Sequence, residues 1–118
     1  MVIDSSALIS LLLGEPETPR FVAILAAAST RLMSAPSYVE AAIVMVSRSG
    51  PEAQEKLDRL LSDLNVQIVP FTRDQGSGHA AALNFGDCFT YALAKLSGEP
   101  VLFKGGDFSR TDLAIAVV

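Results

Sequence analysis

Four acidic residues of the chain stand where they can do chemistry together. Asp4 follows the apolar residues MVI, Glu40 follows RLMSAPSYV, Asp87 lies within the apolar stretch NFGDCFTYALA, and Asp107 follows PVLFKGG. Carboxylates that are brought together without matching bases repel one another unless a divalent cation neutralises them. Oxygen ligands of this kind suit Mg²⁺ or Mn²⁺, whereas zinc would favour cysteine and histidine. The four acids therefore predict a Mg²⁺ or Mn²⁺ site.

A structural role is the alternative for each of these acids. A carboxylate near a helix N-terminus caps backbone N–H groups and lies at the positive end of the helix dipole. This explanation fits Asp4 and Asp87 less well, because apolar neighbours carry both toward the core, where an isolated carboxylate is costly. Lys104 and Arg110 are the only basic residues among the last twenty. A cation from outside the chain is therefore the better explanation for these two acids.

The other reactive side chains favour no competing chemistry. His79 and Cys88 are the single histidine and the single cysteine, and two such residues do not make a structural zinc site. We interpret Cys88 as a small core residue, and His79 either as a loop histidine or as a phosphate contact or proton shuttle. Ser5 and Ser6 have no histidine at a spacing useful for nucleophilic catalysis. Ser6 is therefore predicted to hydrogen-bond a neighbouring acid or to cap a helix.

The composition predicts one cytoplasmic domain with no membrane segment. The chain has 118 residues, half of them apolar, and a formal net charge of -4. This charge lacks the basic surface of a non-specific duplex binder, so any nucleic-acid contact must be local or metal-assisted. One cysteine and no signal-like start fit a reducing cytoplasm. The longest apolar stretches, AAIVMV and ALISLLL, fall short of the ~20 residues that cross a bilayer.

The acids must be positioned by an alternation of strands and helices. Short strands are predicted at MVID, RLMSAP, VQIVPF, PVLFK and LAIAVV, and helices at SSALISLLL, ETPRFVAILAAAS, SYVEAAIVMVSRSG, PEAQEKLDRLLSDLN and NFGDCFTYALAKLSG. Glycine or proline residues punctuate most of these stretches. The alternation predicts an α/β fold with a mainly parallel sheet covered by helices. In such sheets the ligand crevice lies outside the carboxyl ends of the strands, where the acids also lie.

The stretches MVIDSSALISLLLGEP, SYVEAAIV and ALNFGDCFTYALAKLSGEPVLFKGGDFSRTDL together resemble a PIN-domain ribonuclease of the VapC toxin type. The resemblance extends over nearly the whole chain and implies a single PIN domain over residues 1–118. It implies an acidic site at the strand ends that uses Mg²⁺ or Mn²⁺ to cleave RNA, leaving a 5′ phosphate. It also implies a cognate VapB antitoxin that holds the toxin inactive.

The resemblance assigns roles to individual residues. Asp4, Glu40, Asp87 and Asp107 match the family's acidic cluster, with Asp4 and Asp87 as direct metal ligands. Ser6 matches a serine that orients the first acid, and Asp112 matches a further acid at the rim of the site.

Two features depart from the family pattern. Gly106 stands where relatives often carry a further acid. The helix that relatives usually place between segments like FTRDQ and GSGH is absent between Gln75 and Gly76. The sequence leaves open whether this deletion belongs to the intact protein.

The predicted function is therefore the toxin component of a type II toxin–antitoxin system, an endoribonuclease acting on structured RNA such as tRNA or rRNA. A catalytically impaired PIN-fold partner of an antitoxin is the alternative. A receiver or phosphatase domain is a third, weaker hypothesis, because phosphatases usually show an Asp-x-Asp pair where this chain has DSS.

Surplus apolar residues on the helices ETPRFVAILAAA, SYVEAAIVMV and PEAQEKLDRLLSDL predict an interface, either a homodimer face or an antitoxin groove.

Overall fold

The computed structural model describes residues 1–76, 85–106, 108 and 111–116. In this part of the chain the strands are β1 (Val2–Ile3), β2 (Leu32–Ser34), β3 (Gln67–Val69) and β4 (Val101–Leu102). The helices are α1 (Ser5–Leu13), α2 (Thr18–Ala27), α3 (Ala35–Ser49), α4 (Glu52–Asp63), α5 (Arg73–Gly76) and α6 (Phe85–Ser97).

The strands form a parallel sheet in the order β3-β2-β1-β4. This arrangement confirms the α/β fold and the parallel sheet that the sequence predicts. The predicted last strand, LAIAVV, is shorter than expected in the described residues, where it makes one parallel bridge between Val101 and Ile115. Two hydrogen bonds of Val101 form this bridge: its N–H donates to Ala114 (2.9 Å) and its C=O accepts from Ala116 (3.0 Å).

The core lies on both faces of the sheet. Ile3 packs in a cluster with Leu8, Phe21 and Leu57, which come from α1, α2 and α4. Its neighbour Val2 packs instead with residues of α6 and β4: Tyr91, Leu93, Ala94 and Val101. Because successive residues of a strand point to opposite faces, α6 covers one face and α1, α2 and α4 cover the other.

Local sequence signals explain most helix boundaries. Asp4 caps α1, and Gly14 ends that helix in the left-handed conformation (φ 64°) that glycine adopts without steric cost. The helix α3 begins at Ala35 rather than at the predicted serine, because proline is tolerated in a first turn and Pro36 lies there. Glu40 consequently lies in the second turn of α3.

The segment with the predicted deletion is only partly described. The short helix α5 was not predicted, and it includes the Gln75–Gly76 step at which the sequence predicts that the family helix is missing. Residues 77–84, which include His79, lie outside the described residues, as does Asp107. No helix in the described ranges is long and apolar enough to cross a membrane.

Candidate active site

Asp4 is the most buried of the predicted site acids that the structure describes, with 2% of its surface exposed. It follows β1, where its N–H donates to the carbonyl of Leu102 in β4 (3.0 Å). Its Oδ2 accepts two hydrogen bonds from Ser6, one from the backbone N–H (3.0 Å) and one from the hydroxyl (2.6 Å). The carboxylate is therefore held at the carboxyl end of the sheet by the first turn of α1, and Ser6 makes the contact to an acid that its spacing indicated.

Thr90 binds the other oxygen of Asp4. Its hydroxyl donates to Oδ1 at 2.6 Å, and it also lies 3.2 Å from the hydroxyl of Ser37 in α3. Both hydroxyl residues are buried. This chain of contacts joins α3, α6 and the end of β1 around one carboxylate. Sequence reasoning missed both residues, because serine and threonine within apolar helices give no local signal of a partner far along the chain.

Glu40 lies between α1 and α6. The hydroxyl of Ser5 donates to its Oε1, and Gly86 of α6 packs against the other side of its carboxylate. A Cβ added at Gly86 would collide with Oε2 and would lie only 3.2 Å from Cδ. The absence of a side chain at position 86 therefore lets the first turn of α6 approach Glu40.

Asp87 directly follows this glycine in the first turn of α6, and its Oδ2 is buried. Residues three positions apart share a helix face, so Asp87 lies on the face that carries Thr90, one turn nearer the helix N-terminus. The structure thus brings the backbone positions of Asp4, Glu40 and Asp87 to the same end of the sheet. Cys88, predicted to be a core residue, is only partly buried.

The remaining predicted acids are placed differently. Asp107 lies outside the described residues. Asp112 is exposed, accepts a hydrogen bond from the Tyr91 hydroxyl (2.8 Å) and pairs with the Lys95 ammonium. The hydrogen bond from Lys95, and then that from Tyr91, lowers the pKa of Asp112. Its partners Tyr91 and Lys95 lie in later turns of α6 than Asp87. The supporting role of Asp112 at the rim of the site therefore stays a prediction.

The backbone of Lys104, a basic residue, reaches the site. Its N–H donates to the Ser6 hydroxyl at 3.0 Å. Its ammonium instead pairs with Glu15 and, at 3.6 Å, with Glu17. The hydrogen bond to Glu15 is the main cause that raises the pKa of Lys104. Among the ion pairs formed between described residues, none includes Asp4 or Glu40.

The side chains at this edge of the sheet offer oxygen ligands, the kind that a hard divalent cation prefers, and two carboxylates are enough for Mg²⁺. Within the described ranges, no three acidic, histidine or cysteine side chains form a ready-made metal cluster. Mg²⁺ needs no such cluster, because it is usually bound by one or two carboxylates together with waters and substrate phosphates. In a site of this kind, Asp4 and Asp87 would be the two carboxylates. The buried hydroxyl of Ser34 at the end of β2 has no hydrogen-bond partner in the described part of the chain and adds an oxygen to this edge.

An apolar groove of about 740 Å³ adjoins Glu40. Its walls come mainly from α3 and α6, and Glu40 and Gly86 belong to its lining. Exposed Val39, Ile43 and Phe85 contribute to it, and Phe89 stacks edge-on against Phe85 and Phe71 with ring centroids 4.9 Å apart in each pair. Of the three helices predicted to carry an interface, α3 is the one that lines this groove.

Comparison with known proteins places this architecture in a family. Residues 1–113 match the family model of the PIN domain. Ribonuclease VapC30 of Mycobacterium tuberculosis is 46% identical to the chain, and the alignment covers 97% of this chain and 96% of that protein. The chain is a VapC-type PIN domain. Ribonuclease VapC of Mycolicibacterium smegmatis is 44% identical, with 97% and 98% of the two chains covered.

Solved structures have the same fold as this VapC-type domain. Mycobacterium tuberculosis VapC20, described as a toxin that cleaves the sarcin-ricin loop, superposes with a TM-score of 0.80 at 16% identity, covering 99% of this chain and 98% of that chain. A toxin–antitoxin complex from Klebsiella pneumoniae gives a TM-score of 0.75 at 20% identity, covering 98% and 95%. The family membership removes the receiver and phosphatase hypothesis.

The comparison also bears on the length of this VapC-type chain. The alignment with VapC30 runs over 126 residues, whereas the chain has 118. It therefore includes positions that this chain lacks. This difference in length agrees with the predicted loss of a segment from the chain. The location of that loss between Gln75 and Gly76 stays a prediction.

Proposed function

We propose that the chain is the toxin of a type II toxin–antitoxin pair and cleaves RNA as a Mg²⁺- or Mn²⁺-dependent endoribonuclease. The observation that carries this proposal is the environment of Asp4. Its carboxylate is buried and hydrogen-bonded on both oxygens, and no described ion pair neutralises it. Burial of a carboxylate with no cation is costly, and a divalent metal at the adjoining acids is the partner that offsets this cost.

The proposed roles follow from where each acid lies. Asp4 and Asp87 would hold the metal, and Glu40 lies at the same end of the sheet, held by Ser5 and Gly86. The bound metal supplies an activated water and neutralises charge on the scissile phosphate. The chain's own residues orient the carboxylates and exclude bulk water from Asp4. Asp107 completes the acidic set in this proposal, as the resemblance implies.

RNA is the proposed substrate because the relatives at 46% and 44% identity are named ribonucleases. A net charge of -4 gives little long-range attraction for a polyanion. Binding is therefore expected to depend on the metal and on local contacts at the acidic edge. We propose a structured RNA such as tRNA or rRNA, in which a loop can bring one phosphate to the site.

The test is RNA cleavage by the full chain and by Asp4→Asn, with Asp63→Asn as the matched control. Asp63 is an exposed acid at the end of α4, so its substitution makes the same charge change away from the site. Mg²⁺-dependent cleavage by the wild type and by Asp63→Asn, lost in EDTA and in Asp4→Asn, is the expected result. Cleavage by Asp4→Asn at the wild-type rate, insensitive to EDTA, would contradict the proposal.

An antitoxin is the proposed partner, and the apolar groove beside Glu40 supports it. Apolar side chains line this groove up to an acidic residue, which suits a segment with apolar anchors and an Arg or Lys. Such a cation would replace the charge of the metal at the acids and inhibit the toxin. A chain of the same fold occurs in the toxin–antitoxin complex from Klebsiella pneumoniae.

Metal titration distinguishes the proposed ribonuclease from the alternative, a catalytically impaired chain that only binds the antitoxin. A wild-type chain that binds neither Mg²⁺ nor Mn²⁺, yet still binds the product of the neighbouring gene, would favour a catalytically impaired partner. The proposal predicts that this same chain binds Mn²⁺ in the absence of RNA.

A further inference from the structure

The two oxygens of Asp4 differ in what they can still accept. An ionised carboxylate oxygen offers two lone pairs. At Oδ2 both are used, by the N–H and by the hydroxyl of Ser6. Among the described residues, Oδ1 accepts one hydrogen bond, from Thr90. Oδ1 is therefore the oxygen with a lone pair available for a further ligand.

The donor and acceptor capacities of these groups determine the direction of the hydrogen bonds behind Oδ1. A carboxylate is only an acceptor, so the single hydroxyl proton of Thr90 points at Asp4. The 3.2 Å contact between Thr90 and Ser37 then has one direction, with Ser37 donating to Thr90. The order is Ser37 in α3, Thr90 in α6 and Asp4 after β1. Both hydroxyl residues are fully buried, at 1% and 0% exposure, so water does not compete for these bonds.

We propose that Thr90 is a positioning residue for the metal: supported by Ser37, it occupies one lone pair of Oδ1 and so directs the other toward the cation. This inference rests on the proposed metal-dependent function. Ser6 and Thr90 bind opposite oxygens, so the carboxylate is prevented from rotating about its Cβ–Cγ bond. Groups that hold a metal ligand in place typically change metal affinity or activity by roughly 10- to 100-fold when they are removed.

The competing explanation is that the two hydroxyls only satisfy a buried carboxylate. In that case their removal lowers the free energy of unfolding and leaves metal affinity unchanged. Thr90 is fully buried, so a packing role of its methyl group must be separated from the role of its hydroxyl. Thr90→Val keeps the shape and removes the hydroxyl, whereas Thr90→Ser keeps the hydroxyl and removes the methyl group.

The experiment is calorimetric titration of Mn²⁺ into the full-length wild type, Thr90→Val, Thr90→Ser and Ser37→Ala, with thermal unfolding of each metal-free protein. We expect Mn²⁺ affinity to fall about 10-fold or more in Thr90→Val and to stay within about 3-fold of wild type in Thr90→Ser. Ser37→Ala should weaken Mn²⁺ binding by a smaller factor and should have no further effect when added to Thr90→Val.

Three results would overturn the inference. One is wild-type Mn²⁺ affinity in Thr90→Val, another is equal weakening in Thr90→Ser and Thr90→Val, and the third is full affinity in Ser37→Ala. If Thr90→Val does not fold, Ser37→Ala decides the question by itself. A wild-type chain that binds no Mn²⁺ contradicts the proposed function and this inference together, whereas Mn²⁺ binding that is insensitive to all three variants contradicts the inference alone.

Discussion

Gly86 and the carboxylate of Glu40 lie in direct contact, so that a side chain at position 86 would collide with Oε2. This contact joins the second turn of α3 to the first turn of α6. It fixes the position of Glu40 beside the residue that precedes Asp87. The close approach of two helices that carry acids is therefore made possible by one missing Cβ.

Gly86→Ala is predicted to impair RNA cleavage without unfolding the protein. Gly86 has helical geometry, and alanine stabilises a helix by up to about 1 kcal/mol relative to glycine. The colliding atoms belong to the end of a flexible side chain, so Glu40 can swing away. We expect the free energy of unfolding to stay within about 1 kcal/mol of wild type while the cleavage rate falls about 10-fold or more.

A double-mutant cycle identifies the cause of that loss. If Gly86→Ala acts through Glu40, it has no further effect on cleavage in a Glu40→Gln background. An independent loss of cleavage in that background, or wild-type cleavage by Gly86→Ala alone, would show that this contact does not position Glu40.

Ile43→Asp is predicted to block the partner groove and leave the isolated chain folded. Ile43 is 62% exposed at the groove, so its substitution costs the free protein little, but a bound partner would bury the new charge without a counter-ion. Val22→Asp is the control, because Val22 is 51% exposed on α2, outside the groove.

Calorimetry with the product of the neighbouring gene measures this effect. We expect affinity to fall at least about 10-fold for Ile43→Asp and to be nearly unchanged for Val22→Asp. Equal affinities for both variants would exclude the groove as the antitoxin site. Sedimentation of the chain alone tests the homodimer: if Ile43→Asp converts a dimer to a monomer, a second copy occupies the groove.

The Asp112 ion pair predicts a pH-dependent contribution to stability. The pKa of Asp112 is lowered by hydrogen bonds from Lys95 and Tyr91 to its ionised form. A carboxylate with a lowered folded-state pKa stabilises the protein above its unfolded-state pKa, and this contribution is lost as the pH falls through the folded-state value. Wild type should therefore melt above Asp112→Asn at pH 7, and the difference should close as the pH falls below about 4.

Salt provides a check on the same pair. Asp112 and Lys95 are about half exposed, so high ionic strength should also reduce the difference in melting temperature. Asp63→Asn is the control. A difference between wild type and Asp112→Asn that persists unchanged at acid pH would show that the ion pair is not its source.

The fold was predictable mainly from local patterns in the sequence. Strand and helix alternation predicted the parallel sheet, and Gly14 marked the end of α1 because its left-handed conformation is a local property. The contact between Ser6 and Asp4 was also predictable, because the two residues are only two positions apart in the sequence. In the described part of the predicted last strand, residues 113–116, one bridge to β4 forms, whereas Val117 and Val118 lie outside the described residues.

Long-range contacts of the site escaped prediction. Thr90 meets Asp4 across 86 positions, and Glu40 meets Gly86 through the packing of α3 on α6. Neither pair has a spacing that a sequence pattern reveals. The groove beside Glu40 escaped for a similar reason: an apolar residue such as Ile43 is distinguished from a core residue only by whether another element covers it.

The most direct measurement is the RNA cleavage rate of Asp87→Asn against Asp63→Asn, each across a Mg²⁺ titration and in EDTA. Loss of a metal ligand should cost more than the roughly 10- to 100-fold typical of groups that only hold such ligands in place. We predict that Asp87→Asn loses more than about 100-fold in rate at every Mg²⁺ concentration, while Asp63→Asn cleaves like the wild type. Equal, EDTA-resistant cleavage by both variants would contradict a metal-dependent site at these acids.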